Sequence, residues 1–255
     1  MAAAERFSFV PGEAGKLRVS DGGEGGLPLL LLHGLGSELE TWRPVLDRLR
    51  RSRRTIAYDQ RGHGQSDAAS EYTIAALARD LGRVVEQLRL ERFWLAGHSF
   101  SGTVVTAHAA ERPDQVAGAI YVDAVGDVSR SPPEVIEYFR KHDAGMTPER
   151  LRAAYTEMLG PKARPATREA VLGSSGRMDL KAFAALRGDM PKFDGLAAAN
   201  RYPGPRFAIE AEGDDNPFRA SHLPRTKRIG IPDVSHWLML DDPEATARAL
   251  DEVLR

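Results

Sequence analysis

No cysteine occurs among the 255 residues of the chain. That absence excludes a disulfide framework, a thiolate-ligated zinc or iron–sulfur centre and a cysteine nucleophile, and it leaves the redox compartment open. Net charge is nearly absent too. Lys+Arg number 35 against 36 Asp+Glu, a formal charge of −1, so nothing pulls the chain as a whole toward nucleic acid or an acidic membrane. Long apolar runs are missing. The most apolar stretch, residues 27–32, contains Pro28 and falls far short of the roughly 20 residues that span a bilayer. The first ten residues have no basic start followed by an apolar run, so no secretory signal is read there. The expectations are a cytoplasmic protein with no membrane and no nucleic-acid partner. The one basic cluster, residues 50–54, reads as a solvated helix-to-strand loop. The six lysines against 29 arginines read as genome composition.

What is there is an ordinary globular composition, 42% hydrophobic and 28% charged. Strand-like and helix-like segments alternate. Residues 16–20 alternate in polarity and stop at Asp21-Gly22-Gly23. Residues 27–32 end at His33-Gly34, as a strand buried on both faces would. A helix is predicted over 38–49, a strand over 53–58, and a helix over 73–90 whose Ile74, Leu77, Leu81, Val84, Val85 and Leu88 keep the 3–4 spacing. A strand over 93–96, a small-residue helix over 102–111 and a strand over 116–122 follow. This order predicts an α/β fold: a mostly parallel central sheet with helices on both faces. The pattern then breaks. Residues 126–202 carry prolines between short helical pieces and no strand signal, which predicts an inserted set of helices. Strands return over 206–212 and 226–231, and a last helix covers 243–254. The organisation is a core of 1–125 and 203–255 with a helical cap of 126–202.

The central motif is Gly97-His98-Ser99-Phe100-Ser101, at the junction of a predicted strand and a predicted helix of small residues. A Gly-x-Ser-x-small turn at such a junction is tight and lifts its serine above the sheet edge. The positions two before and two after must be small to avoid neighbouring backbone. Gly97 and Ser101 meet that need, with Ser101 standing where Gly is usual.

Four motifs in order along the chain resemble the α/β-hydrolase superfamily, specifically its small enzymes with a helical cap after the sixth strand. Residues 29–36, Leu-Leu-Leu-Leu-His-Gly-Leu-Gly, look like the strand and His-Gly loop that supplies one oxyanion-hole N–H. Residues 59–66, Asp-Gln-Arg-Gly-His-Gly-Gln-Ser, are similar to the Asp-x-Arg-Gly-x-Gly-x-Ser turn. Gly97-His98-Ser99 looks like the nucleophile elbow. Val234-Ser235-His236-Trp237 with Asp242-Pro243-Glu244 resembles the late histidine loop and closing helix.

The resemblance implies an α/β-hydrolase fold and a carboxylic ester hydrolase working through an acyl-enzyme. Ser99 is then the nucleophile and His236 the base that activates it, since free serine is a poor nucleophile at neutral pH. Leu35 and Phe100 would supply the oxyanion-hole N–H groups. An acid must hold the imidazole tautomer, and three candidates stand. Counting from Pro205 puts Asp214 at the family's acid position, with Ala211 in place of a Gly. Asp215 is one residue further. Asp123, at the end of the predicted sixth strand, occupies the place some relatives use. A serine in place of an aspartate nucleophile argues against dehalogenase and epoxide hydrolase chemistry. Lactone hydrolysis, C–C bond hydrolysis and peracid formation use the same triad, and a few relatives bind ligands without turnover.

Under this reading the cap roofs a pocket for a small ester-like substrate with residues such as Phe139, Tyr155, Met158, Phe183 and Met190. His33 is read as structural, and His98 as filling the variable position of the elbow. No phosphate-binding glycine motif and no metal-ligand spacing occurs, so no cofactor and no metal are expected. A monomer or homodimer is expected.

Overall fold

The computed structural model describes residues 5–143, 145–213 and 216–255, without the side chains of 138 and 139. Among the described residues eight strands form one sheet: β1 (Arg6–Pro11), β2 (Lys16–Gly22), β3 (Leu29–Leu32), β4 (Thr55–Tyr58), β5 (Phe93–His98), β6 (Val116–Val122), β7 (Arg206–Ala211) and β8 (Thr226–Ile231). Their spatial order is β1-β2-β4-β3-β5-β6-β7-β8. β1 and β2 are antiparallel to their neighbours and every other pair is parallel. The mostly parallel α/β sheet expected from the sequence is present.

Strand β3 shows why a continuous apolar run suits this sheet. Side chains alternate between faces, so Leu30 and Leu32 enter one core cluster while Leu29 and Leu31 enter the other. Helices α2 (Ile74–Gln87) and α3 (Ser101–Glu111) cover the first face. Helices α1 (Arg43–Leu49), α9 (Leu238–Asp241) and α10 (Pro243–Val253) cover the second. The helix expected over 38–49 is split. A 3-10 turn, Leu39–Trp42, precedes α1, and Pro44 sits in the first turn of α1. Proline has no N–H to bond back to residue 40, so the helix restarts there.

Between β6 and β7 run α4 (Pro133–Asp143), α5 (Pro148–Leu159), α6 (Pro165–Ser175), α7 (Leu180–Asp189) and α8 (Gly195–Arg201). The prolines that punctuate the sequence here open helices, at Pro133, Pro148 and Pro165. Helix α8 lies against α3, on the flank of the sheet.

Strand β1 has no counterpart in the sequence reading. It is an edge strand paired only with β2, and its Phe7 and Phe9 are exposed. Phe7 lies under the guanidinium of Arg18, 4.6 Å from its centroid. The basic run 50–54 is also less solvated than expected. Arg50 is buried, donating to Ser20 Oγ and the Thr55 carbonyl and pairing with Glu5, while Arg54 pairs with Asp21. Among the described residues no helix is long and apolar enough to cross a membrane.

Candidate active site

Strand order reverses between β3 and β5: from β5 the order climbs to β8, and from β3 it runs back to β1. Loops leaving the carboxyl ends of adjacent strands at such a point diverge and open a crevice. The loop after β3 carries Leu35, and the turn after β5 carries Ser99. Both line a cavity of about 550 Å3, together with Phe100, Asp123 and His236.

Ser99 has φ +56, in the left-handed region that costs a side-chain-bearing residue energy. The turn is held by its own backbone. Ser99 N–H donates to Val122 O at 3.1 Å, and Ser99 O accepts from Gly102 N–H and Val125 N–H at 3.1 and 3.0 Å. Gly97 is required by close approach: a Cβ there would stand 2.7 Å from Ser101 O and from Val105 Cγ2. Ser101 is fully buried and makes use of its hydroxyl. It donates to His33 O at 2.5 Å and accepts from Gln60 Nε2 at 3.0 Å.

The same buried group fixes the β3 loop. His33 Nε2 accepts from Gln60 N–H at 3.0 Å, so its proton sits on Nδ1 and is donated to Gly34 O at 2.8 Å. Burial lowers the His33 pKa to about 4, which keeps the ring neutral.

His236 lies between Ser99 and Asp123. Its Nε2 is 2.8 Å from Ser99 Oγ and its Nδ1 is 2.6 Å from Asp123 Oδ2. Asp123 is nearly fully buried and, like Ser99, has positive φ, +45. Burial alone would raise its pKa. The hydrogen bond and charge of His236, the Arg219 guanidinium and the Ala211 N–H outweigh burial and hold the carboxyl below its ordinary value. An ionised Asp123 accepts a hydrogen bond from Nδ1–H, which keeps the ring proton on Nδ1 and leaves Nε2 free to accept from the serine hydroxyl. Oδ1 is occupied separately, by Ala211 N–H at 2.8 Å and by an ion pair with Arg219. Asp214 and Asp215, the other two acid candidates, lie outside the described residues. Within the described residues the carboxylate on His236 is that of Asp123.

Three residues take part in this geometry through contacts that the sequence reading does not give. Arg219 is buried and sits between Asp123 and Glu210. His98 is buried, donates from Nε2 to His236 O at 2.9 Å and packs its ring 4.7 Å from that of His236. Burial, reinforced by His236, lowers its pKa to about 3, so it holds the loop as a neutral donor. Tyr155, expected only as pocket lining, donates its hydroxyl to Leu35 O at 2.6 Å. No local pattern marks these contacts, because their partners lie 96, 138 and 120 residues away.

The inserted helices lie over the cavity through Ile136, Tyr155, Met158, Phe183, Arg187 and Met190. The side chain of Phe139, also expected there, lies outside the described ones. Among the described residues no group of three or more His, Asp and Glu could hold a metal ion.

Comparison with known proteins bears on this arrangement. An uncharacterized protein of Mycobacterium tuberculosis is 30% identical over 200 residues, covering 77% of this chain and 57% of that protein. The chain thus spans little more than half of that longer relative. Among solved structures, a thermophilic esterase from Thermogutta terrifontis superposes with a TM-score of 0.82 at 23% identity, covering 98% of both chains. The enol-lactonase from Burkholderia xenovorans superposes with a TM-score of 0.86 at 20% identity, covering 97% of this chain and 99% of its own. At these identities the likeness is one of fold. The sequence model described as the alpha/beta hydrolase family matches residues 29–249, which takes in every strand from β3 to β8. The chain belongs to the alpha/beta hydrolase family.

Proposed function

We propose that the protein is a serine hydrolase that cleaves carboxylic esters through an acyl-enzyme. The observation that carries the reading is the unbroken series Ser99 Oγ, His236 Nε2, His236 Nδ1, Asp123 Oδ2, with steps of 2.8 and 2.6 Å, opening on an apolar cavity.

In this reading Ser99 Oγ attacks the ester carbonyl while His236 Nε2 takes its proton. Asp123 stabilises the imidazolium through Nδ1–H. The carbonyl oxygen becomes an oxyanion and receives the N–H groups of Leu35 and Phe100, where loss of one donor costs about 2.7–4 kcal/mol in the barrier. The intermediate collapses, the C–O bond breaks, and His236 returns its proton to the leaving alcohol. Water then attacks the acyl-enzyme by the same route and frees the acid and Ser99. The helices α4–α7 act as a cap that excludes bulk water and strengthens these interactions.

The test is hydrolysis of short and medium p-nitrophenyl esters, with fluorophosphonate labelling alongside. The wild type is expected to turn over and to be labelled, and Ser99→Ala to do neither. A wild type that neither labels nor hydrolyses any ester overturns the reading and directs attention to ligand binding without turnover.

A further inference from the structure

Asp241 is the last residue of α9, in the loop that follows His236. Its two carboxylate oxygens face two different parts of the chain. Oδ2 accepts from the Ser235 N–H at 2.7 Å and from the Ser235 hydroxyl at 2.5 Å. Oδ1 accepts from the Arg164 N–H at 2.8 Å and from the Thr167 hydroxyl at 2.7 Å. Arg164 caps α6 and Thr167 lies in the first turn of that helix. An ionised carboxylate only accepts, so it suits four donors at once. One side chain thus ties the inserted helices to the loop of the catalytic histidine.

The tie reaches His236 through one further bond. The buried Ser235 hydroxyl gives its proton to Asp241 and turns a lone pair to the Trp237 N–H, which donates to it at 3.2 Å. That N–H belongs to the His236–Trp237 peptide. The carbonyl of the same peptide accepts from His98 Nε2 at 2.9 Å. A peptide unit is planar and includes the Cα on either side. Holding its N–H and its C=O therefore places the Cα of His236, from which the ring must meet Ser99 Oγ at 2.8 Å and Asp123 Oδ2 at 2.6 Å. Without Asp241 the Ser235 hydroxyl can rotate its proton toward the Trp237 N–H, and one of the two holds on the peptide is lost.

We propose that Asp241 is a positioning residue for the base: through the Ser235 hydroxyl it fixes the peptide that carries the His236 Cα, and it is itself held by the first turn of α6. The inference rests on the serine hydrolase reading above. A base displaced by a fraction of an ångström slows proton transfer without altering how the ester binds. The inserted helices therefore do more than roof the cavity. Their seating on Asp241 bears on the rate of acyl transfer.

Asp241→Asn keeps the shape, but each Asp241 oxygen accepts a backbone N–H and an amide has only one acceptor oxygen, so one tie must break. Ser235→Ala cuts the loop side alone. Both variants are expected to lose about 10-fold in kcat on p-nitrophenyl acetate with little change in KM, and as much in the rate of fluorophosphonate labelling. Ser235→Thr keeps the hydroxyl and is expected to stay within about 2-fold of the wild type. Thr167→Val removes the hydroxyl on the α6 side and is expected to lose about 3-fold in kcat. Melting temperatures measured alongside separate a loss of folded protein from a loss of rate. Wild-type kcat in Asp241→Asn and Ser235→Ala would overturn the proposal. A loss in Ser235→Thr as large as in Ser235→Ala would also overturn it, because packing and not the hydroxyl would be responsible. A rise in KM alone would do the same, making Ser235 a substrate contact. Unchanged kcat in Thr167→Val with a lowered melting temperature would overturn the link to α6. In each of these cases the wild type is active and labelled, and the serine hydrolase reading stands. A wild type that is neither labelled nor active defeats both readings together.

Discussion

Asp123 Oδ2 accepts a hydrogen bond from His236 Nδ1–H at 2.6 Å, joining the end of β6 to a loop 113 residues further along the chain. The position after β6 lies beside the elbow in the sheet, because Val122 pairs with His98. The backbone reinforces the placement: Asp123 N–H donates to Ile209 O at 2.7 Å.

If Asp123 orients the imidazole, Asp123→Asn is expected to lower kcat by about 10^4-fold, because an amide there favours the wrong tautomer. Asp214→Asn is expected to retain activity of wild-type order. Steady-state hydrolysis of p-nitrophenyl butyrate by the two variants decides the matter. Collapse of the Asp214 variant with a healthy Asp123 variant would transfer the role to Asp214.

Arg219 holds two carboxylates, Asp123 and the fully buried Glu210. Arg219→Met strips the cation from a buried group that stays charged. It is expected to cost about 3–5 kcal/mol of stability, read from urea unfolding at neutral pH. A loss below 1 kcal/mol would show that these carboxylates do not depend on it.

Four histidines give the protein an acid weakness. Burial, the largest cause in each case, lowers the pKa of His33 and His108 to about 4 and of His63 and His98 to about 3, from an ordinary 6.5. Below pH 6.5 the unfolded chain takes up protons that the folded chain refuses. The stability these neutral rings confer is therefore complete above that pH and is lost as pH falls toward 4. Each ring contributes a slope of about 1.4 kcal/mol per pH unit inside the window. Calorimetric melting between pH 7.5 and 4.5 is expected to show a steep fall in melting temperature beginning near pH 6.5. A flat profile down to pH 5 would contradict the burial of these rings.

Gly97→Ala places a methyl group 2.7 Å from the Ser101 carbonyl and a Val105 methyl. Overpacking of this kind costs about 1–3 kcal/mol, and here relief requires moving the turn that carries Ser99. The variant is expected to lose activity out of proportion to stability. Comparison of kcat with melting temperature checks this, and equal, small losses would count against the tightness of the elbow.

Much of this protein is decided locally. The four-leucine run of β3, the 3–4 spacing of α2 and the small residues around Ser99 each specify their element from short-range chemistry, and each was legible without coordinates. The motif at residues 97–101 also marks Ser99, because a strand-to-helix turn that tight admits few sequences. Edge strand β1 is not legible in this way, because it pairs with one strand and leaves Phe7 and Phe9 exposed rather than committing them to the core. What tertiary structure alone decided is which distant groups meet. The sequence offers several acidic residues near strand ends, and no spacing rule shows that Asp123 reaches His236. Sheet order and the positive φ of Asp123 do that. The same holds for Tyr155 on Leu35 O, Arg219 on Asp123 and His98 on the His236 carbonyl. Local elements follow from the residues within them, whereas a site built across the switch point of a sheet depends on how strands are ordered, and that order is set by the packing of the whole chain.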